Sequence, residues 1–197
     1  MRGAAGVSLS ASLYLAFVAG AIVLALLERR IALRNERRLL AEGGTEVAPA
    51  VFLWMTPVYA LHFAAAAWEH LALHRSPAPA FIAAMLVLFA ASKWLKWAAV
   101  RALGDAWTMR VIVPARPRVA SGGPYRFLRH PNYVAVIGEI LALPLAGGAF
   151  LTAGLFGAAF ALVLVARVRT EEAALLSQPD YAAAMGSRPR FLPRGHR

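Results

Sequence analysis

Cysteine is absent from all 197 residues, which excludes disulfides, thiolate-held metals and a cysteine nucleophile. Acid is scarce: 10 Asp and Glu face 21 Lys and Arg, for a formal charge of +11. There is no glycine-rich dinucleotide fingerprint, so a soluble-type Rossmann domain is not available to hold a nucleotide. Internal repeats and low-complexity tracts are missing too, beyond an abundance of alanine. What fills the chain is apolar: 60% of its residues, at a mean hydropathy of +0.58, against roughly 45–50% in soluble domains. A water-soluble fold is hard to build from that.

Crossing roughly 30 Å of hydrocarbon takes about 20 apolar residues. Val7 to Leu27 supplies one such run, Ala50 to Leu73 a second and Ala78 to Val100 a third, whose Lys93 and Lys96 are expected to snorkel toward the headgroups. The run from Val134 to Ala166 is too long for one helix, and Pro144 with Gly147-Gly148 divides it into 134–146 and 148–166. The first run has only Arg2 as a basic flank and no small-residue cleavage site, so it reads as a retained span rather than a signal peptide. The expected architecture is all-α and integral to the membrane. It has five transmembrane helices in a single domain over 1–197, a helical hairpin for the last two, and no Rossmann domain.

The cations lie in the gaps between these runs. Residues 28–49 carry five Lys and Arg, 101–133 six and 167–197 six, whereas 74–77 carry one and the Gly147-Gly148 turn none. Alternate loops are basic. By the positive-inside rule the N-terminus then faces out, and the first loop, the loop after the third span and the C-terminal tail face the cytoplasm. Such a distribution points to membrane lipids as partners and away from nucleic acid. It also puts two polar segments, 110–133 and 167–193, on one side, where a cytoplasmic cosubstrate could meet both.

The first of these segments holds Arg118 to Tyr133, which reads R-V-A-S-G-G-P-Y-R-F-L-R-H-P-N-Y and runs directly into the fourth span. Gly123-Pro124 marks a turn, and Pro131 suits a first helical turn, where unpaired backbone N–H groups can hold a carboxylate or other polar ligand group. A basic stretch anchoring the helix at the headgroups would look the same. Arg167-Val-Arg-Thr-Glu-Glu172 follows the fifth span. Arg167 and Glu171 stand four apart, so they share a face if the helix continues, as an ordinary helix-end ion pair also would.

Gly123 to Tyr133, a helical hairpin, then R-x-x-x-E-E-x-x-L (Arg167 to Leu175) and a C-terminal Tyr and Arg-Pro segment together resemble the isoprenylcysteine carboxyl methyltransferase family. The resemblance implies S-adenosylmethionine as cosubstrate, with contacts on Arg118, Val119, Ala120, Tyr125, His130, Pro131, Asn132, Tyr133 and Glu171, and a lipid-substrate arginine at Arg167. A carboxylate such as Glu171 can accept from both ribose hydroxyls, and tyrosine rings can pack on adenine. The tail departs from the prenylcysteine enzymes: Gln178-Pro-Asp-Tyr181 and Met185 stand where those have F-G-x-x-Y-x-x-Y. The first loop, Arg34 to Gly43, with Gly104-Asp-Ala-Trp107 and Val111 to Val113, is more similar to a bacterial branch associated with type III polyketide synthases. That branch O-methylates alkylpyrone or alkylresorcinol lipids, which implies a bacterial inner membrane and a lipophilic acceptor drawn from the bilayer.

A carboxylate acceptor needs no base, whereas a phenol or enol needs an acceptor for its proton. Glu139, about 9 Å along the helix from Tyr133 at 1.5 Å per residue, is a candidate catalytic base beside Arg167, and His62 is another. Glu139 could instead pair with Lys93 or Lys96, and His62 could bond a neighbouring helix. Glu69, His70 and His74 have no compact ligand cluster around them, and no metal is expected. Isoprenylcysteine carboxyl methylation, an NADPH-dependent membrane reductase sharing R-H-P-N-Y, and a non-catalytic scaffold are the competing readings.

Overall fold

A computed structural model describes residues 9–115 and 119–192. Its helices are α1 (Leu9–Ala41), α2 (Pro49–Leu73), α3 (Pro79–Leu103), α4 (Pro131–Ala146), α5 (Phe150–Leu176) and the short α6 (Pro179–Met185). Two two-residue strands, β1 (Thr45–Glu46) and β2 (Ile112–Val113), pair antiparallel. Four helices, α1, α2, α3 and α5, are long and apolar enough to cross a membrane, and α4 is a shorter apolar helix. The protein is an all-α integral membrane protein, with no Rossmann-like sheet among the described residues.

Proline sets most of the helix starts. Pro49, Pro79, Pro131 and Pro179 each occupy a first-turn position, where the missing N–H is not needed. The apolar runs understate two helices. α1 continues past Leu27 to Ala41, because Glu28 to Ala41 contains neither proline nor glycine and is rich in Glu, Arg, Leu and Ala. At 1.5 Å per residue its 33 residues span about 50 Å, well beyond the bilayer. α5 likewise runs on to Leu176, carrying Arg167, Glu171 and Glu172 on the same rod as the span.

The α4–α5 hairpin is fastened from α2. Buried Glu69 accepts from the backbone N–H groups of Leu151 (3.0 Å) and Thr152 (2.7 Å) and from the Thr152 hydroxyl (2.8 Å), so its carboxylate caps the start of α5. Arg75 pairs with the same carboxylate at 3.0 Å. His70 Nδ1 meets the Gly147 carbonyl at 2.7 Å, and the Tyr14 hydroxyl of α1 donates to Leu143 O at 3.2 Å. The hairpin turn needs glycine at Gly148, whose φ is +72°. Deeper in the bundle α3 and α4 approach closely at Gly138, where an added Cβ would stand 3.2 Å from Ser92 Cβ.

Lys93 and Lys96 do not snorkel. Both are buried against two carboxylates from other helices: Lys93 Nζ lies 2.9 Å from Glu28 and 3.1 Å from Glu139, and Lys96 Nζ lies 2.6 Å and 3.2 Å from the same pair. Opposite charges inside the bundle outcompete the headgroups. Tyr59 of α2 donates to Glu139 Oε2 at 2.9 Å, so α1 to α4 all meet at this neutral quartet. His62, 1% exposed, lies beside it with Nδ1 against the Tyr59 carbonyl of its own helix rather than a neighbouring one.

Candidate functional site

At the basic end of the bundle, the chain between α3 and α4 is pinned by elements distant in sequence. Asn35 Nδ2 of α1 donates to the carbonyls of Gly104 (3.2 Å) and Trp107 (2.8 Å). One turn of chain later, Glu36 accepts from the backbone N–H groups of Met109 (3.1 Å) and Arg110 (3.2 Å), with Arg29 at 3.3 Å. Beyond them β1 pairs with β2, Thr45 opposite Val113 and Glu46 opposite Ile112. From the other side the tail closes in. Arg129 N donates to Pro189 O (2.9 Å), His130 N to Arg190 O (3.0 Å), and Arg188 to the carbonyls of Tyr125 and Ser121.

These tethers surround a cavity of about 130 Å³, small beside the roughly 300–1,000 Å³ of typical ligand pockets. A nucleoside-sized ligand therefore requires its walls to part. Of the residues singled out in the sequence, Val119, Ala120, Tyr125, His130, Asn132, Tyr133, Arg167 and Glu171 line this one cavity. Pro131 opens α4 without joining the lining, and Arg118 lies outside the described residues. Glu139 does not line the cavity; it sits within α4 in the quartet. The two separated motif blocks thus meet in space.

At the cavity floor Tyr133 joins the blocks. Its hydroxyl accepts from Arg167 Nε at 2.6 Å and donates to Glu171 Oε2, and Arg167 Nε lies 4.0 Å from the same carboxylate, as the i,i+4 spacing on a continuing helix requires. Burial, with the nearby Glu171 charge second, raises the Tyr181 phenol to about 12 and pushes Tyr125 well above its ordinary 10. Both hydroxyls therefore stay protonated at neutral pH and can only be donors or neutral acceptors.

Several polar atoms of the lining are buried with no hydrogen-bond partner among the described residues: Trp107 Nε1, Arg110 Nε, Arg129 Nε, Arg167 Nη1 and Asn132 Oδ1. Four donors and one acceptor left open suit a ligand that carries a carboxylate and an acceptor-rich base together with a donor, the chemistry of S-adenosylmethionine.

Sequence reasoning passed over several of the residues that shape the site. Glu172 turns away from Glu171, as adjacent helix positions must, and gathers Arg129 (3.1 Å), His130 Nε2 (3.0 Å) and Arg190 (2.7 Å). It thereby holds His130, stacked on Tyr133, and the returning tail in place. Its place in the R-x-x-x-E-E-x-x-L block was its signal, without a role attached. Trp107, Asn35 and Glu36 act through contacts far apart in sequence, which no local spacing reveals.

Comparison with known proteins agrees with this geometry. Residues 82–177, which hold most of α3 and all of α4 and α5, match the model of the isoprenylcysteine carboxyl methyltransferase (ICMT) family. The chain is also 29% identical over 148 residues to "Uncharacterized protein YpbQ" of Bacillus subtilis (strain 168), covering 75% of this chain and 88% of that protein. Methyltransferases of this family use S-adenosylmethionine. Over residues 82–177, where both motif blocks and the cavity's principal polar groups lie, the chain is similar to the isoprenylcysteine carboxyl methyltransferase family.

Proposed function

We propose that this protein transfers a methyl group from S-adenosylmethionine to an oxygen of a lipophilic substrate, a hydroxyl of an alkylpyrone- or alkylresorcinol-like lipid, at the cytoplasmic face of a bacterial inner membrane. The observation that carries the reading is the set of buried, unpaired polar atoms in the one cavity where the two motif blocks meet. When bound, S-adenosylmethionine supplies a methyl on a sulfonium, which leaves by direct displacement, so alignment provides much of the rate. Val119, Ala120, Tyr125, Asn132, Tyr133 and Glu171 would hold it, with His130 and Pro131 forming the frame at the start of α4.

Arg167 has its Nε engaged by Tyr133 and its Nη1 free of any partner among the described residues. That open N–H is suited to orient an acceptor oxygen and to stabilise negative charge on it. A hydroxyl must also lose its proton. Glu139 Oε2 is taken by Tyr59, Lys93 and Lys96, whereas Oε1 is buried without a hydrogen-bond partner among the described residues, which leaves one oxygen to receive it.

The test offers detergent-purified protein labelled S-adenosylmethionine with an alkylresorcinol, an alkylpyrone and a farnesylcysteine analogue in parallel. Ether formation on a hydroxylated lipid, abolished in Glu139→Gln with donor binding intact, is the expected result. Methyl ester formation on the farnesylcysteine analogue alone would replace the acceptor.

A further inference from the structure

Four of the five tryptophans, Trp54, Trp68, Trp94 and Trp97, are exposed on the helix surfaces. Trp107 is the exception: it is 3% exposed, lines the cavity, and its indole N–H has no acceptor among the described residues. A buried donor without a partner is costly and calls for an explanation. Its position is fixed with unusual care. The backbone N–H of Trp107 donates to Gly104 O at 3.1 Å, and its backbone carbonyl accepts from Asn35 Nδ2 at 2.8 Å. Asn35 is itself 2% exposed and spans both ends of this turn, since it also donates to Gly104 O. Two residues further on, Glu36 fixes the N–H groups of Met109 and Arg110. α1, which lies outside the family-matched stretch, thus carries the wall of the cavity that holds the indole.

We propose that Trp107 is a binding residue for the cosubstrate, its indole N–H donating to an acceptor atom of bound S-adenosylmethionine, and that Asn35 is the positioning residue that sets the indole. Arg129 and Arg167 offer charged donors for anionic groups, whereas the indole N–H is neutral and matches an uncharged acceptor such as a ring nitrogen of the base. The inference rests on the methyltransferase reading above.

Calorimetry with the full-length protein in detergent, using S-adenosylhomocysteine as the probe, measures the effect. Trp107→Phe keeps the ring and loses the donor, and its Kd should rise about 5–10-fold, the worth of one hydrogen bond. Asn35→Leu should raise Kd comparably by itself but add little on top of Trp107→Phe, because it acts through the same indole. Protein labelled with ¹⁵N at the indoles supplies a readout independent of how well the variants fold. The resonance missing from Trp107→Phe should move downfield when S-adenosylhomocysteine is added to wild type, and should sit at a different starting position in Asn35→Leu. A stationary Trp107 resonance, or unchanged affinity in Trp107→Phe, overturns the binding role. Additive losses in the double variant, with the starting resonance unmoved in Asn35→Leu, overturn the positioning role alone. Wild-type protein that binds neither S-adenosylmethionine nor S-adenosylhomocysteine overturns the methyltransferase reading itself.

Discussion

Arg167 is 4% exposed and engages Tyr133 through Nε, so its guanidinium orientation is set before any ligand arrives. Arg167→Lys keeps the charge and loses the planar fork. Turnover should fall about 100-fold, the usual loss for one preorganised donor at a developing charge, while the Kd for S-adenosylmethionine changes little. Radiolabel assays set beside calorimetry check this, and equal losses in both would move Arg167 to the donor. Glu172 is the counterpart on the structural side. Its carboxylate faces Arg129, His130 and Arg190, and Glu172→Gln leaves two guanidinium groups crowded at a nearly buried site. The expected cost is about 2–3 kcal/mol of stability, visible as a lower Tm in detergent, with weakened donor binding because the tail no longer closes on His130.

Between neighbouring helices, small residues decide how close the backbones come. An added Cβ at Gly138 collides with Ser92, whereas one at Gly154 meets nothing. Gly138→Val should therefore cost about 1–3 kcal/mol by overpacking, and Gly154→Ala should be neutral or slightly stabilising. Thermal unfolding of the two variants in one detergent checks the contrast. The start of α4 was legible because Pro131 marks it chemically, and the hairpin was legible from Pro144 and the paired glycines, whereas Pro49, Pro79 and Pro179 went unread as helix starts. The reach of α1 and α5 was not, because an apolar run reports the thickness of hydrocarbon and is silent on where a polar helix stops. The β1–β2 pair has two residues a side, too few for any alternation to register. Lys93 and Lys96 were expected to snorkel, yet the alternative pairing with Glu139 is the one the bundle makes; their second partner, Glu28, is 65 positions away from Lys93 and was not legible. The two motif blocks were legible as blocks, while the wall built from Asn35, Glu36 and Trp107 depends on long-range contacts.

Charge asymmetry acts on the molecule as a whole. The basic segments beside the cavity fall on the side predicted to face the cytoplasm, and the sparsely charged Arg75 connection and Gly147-Gly148 turn fall on the other. With no native cysteine, single substitutions report topology without background. Ser76→Cys, between α2 and α3, should react with a membrane-impermeant maleimide on intact cells, and Ser177→Cys, after α5, only once the cells are opened; both positions are exposed. The reverse pattern would invert the orientation.

α5 runs unbroken from its Glu69 cap to Leu176, with Arg167, Glu171 and Glu172 on the far end of the same rod. A rod held at one end converts a change of angle into a displacement at the other. Bilayers thinner or thicker than the span make helices tilt, at a cost of fractions of a kcal/mol per Å of mismatch. In this protein such a tilt would carry Arg167 and Glu171 together as one lever arm, so that under the proposed reaction membrane thickness itself becomes an input to their alignment.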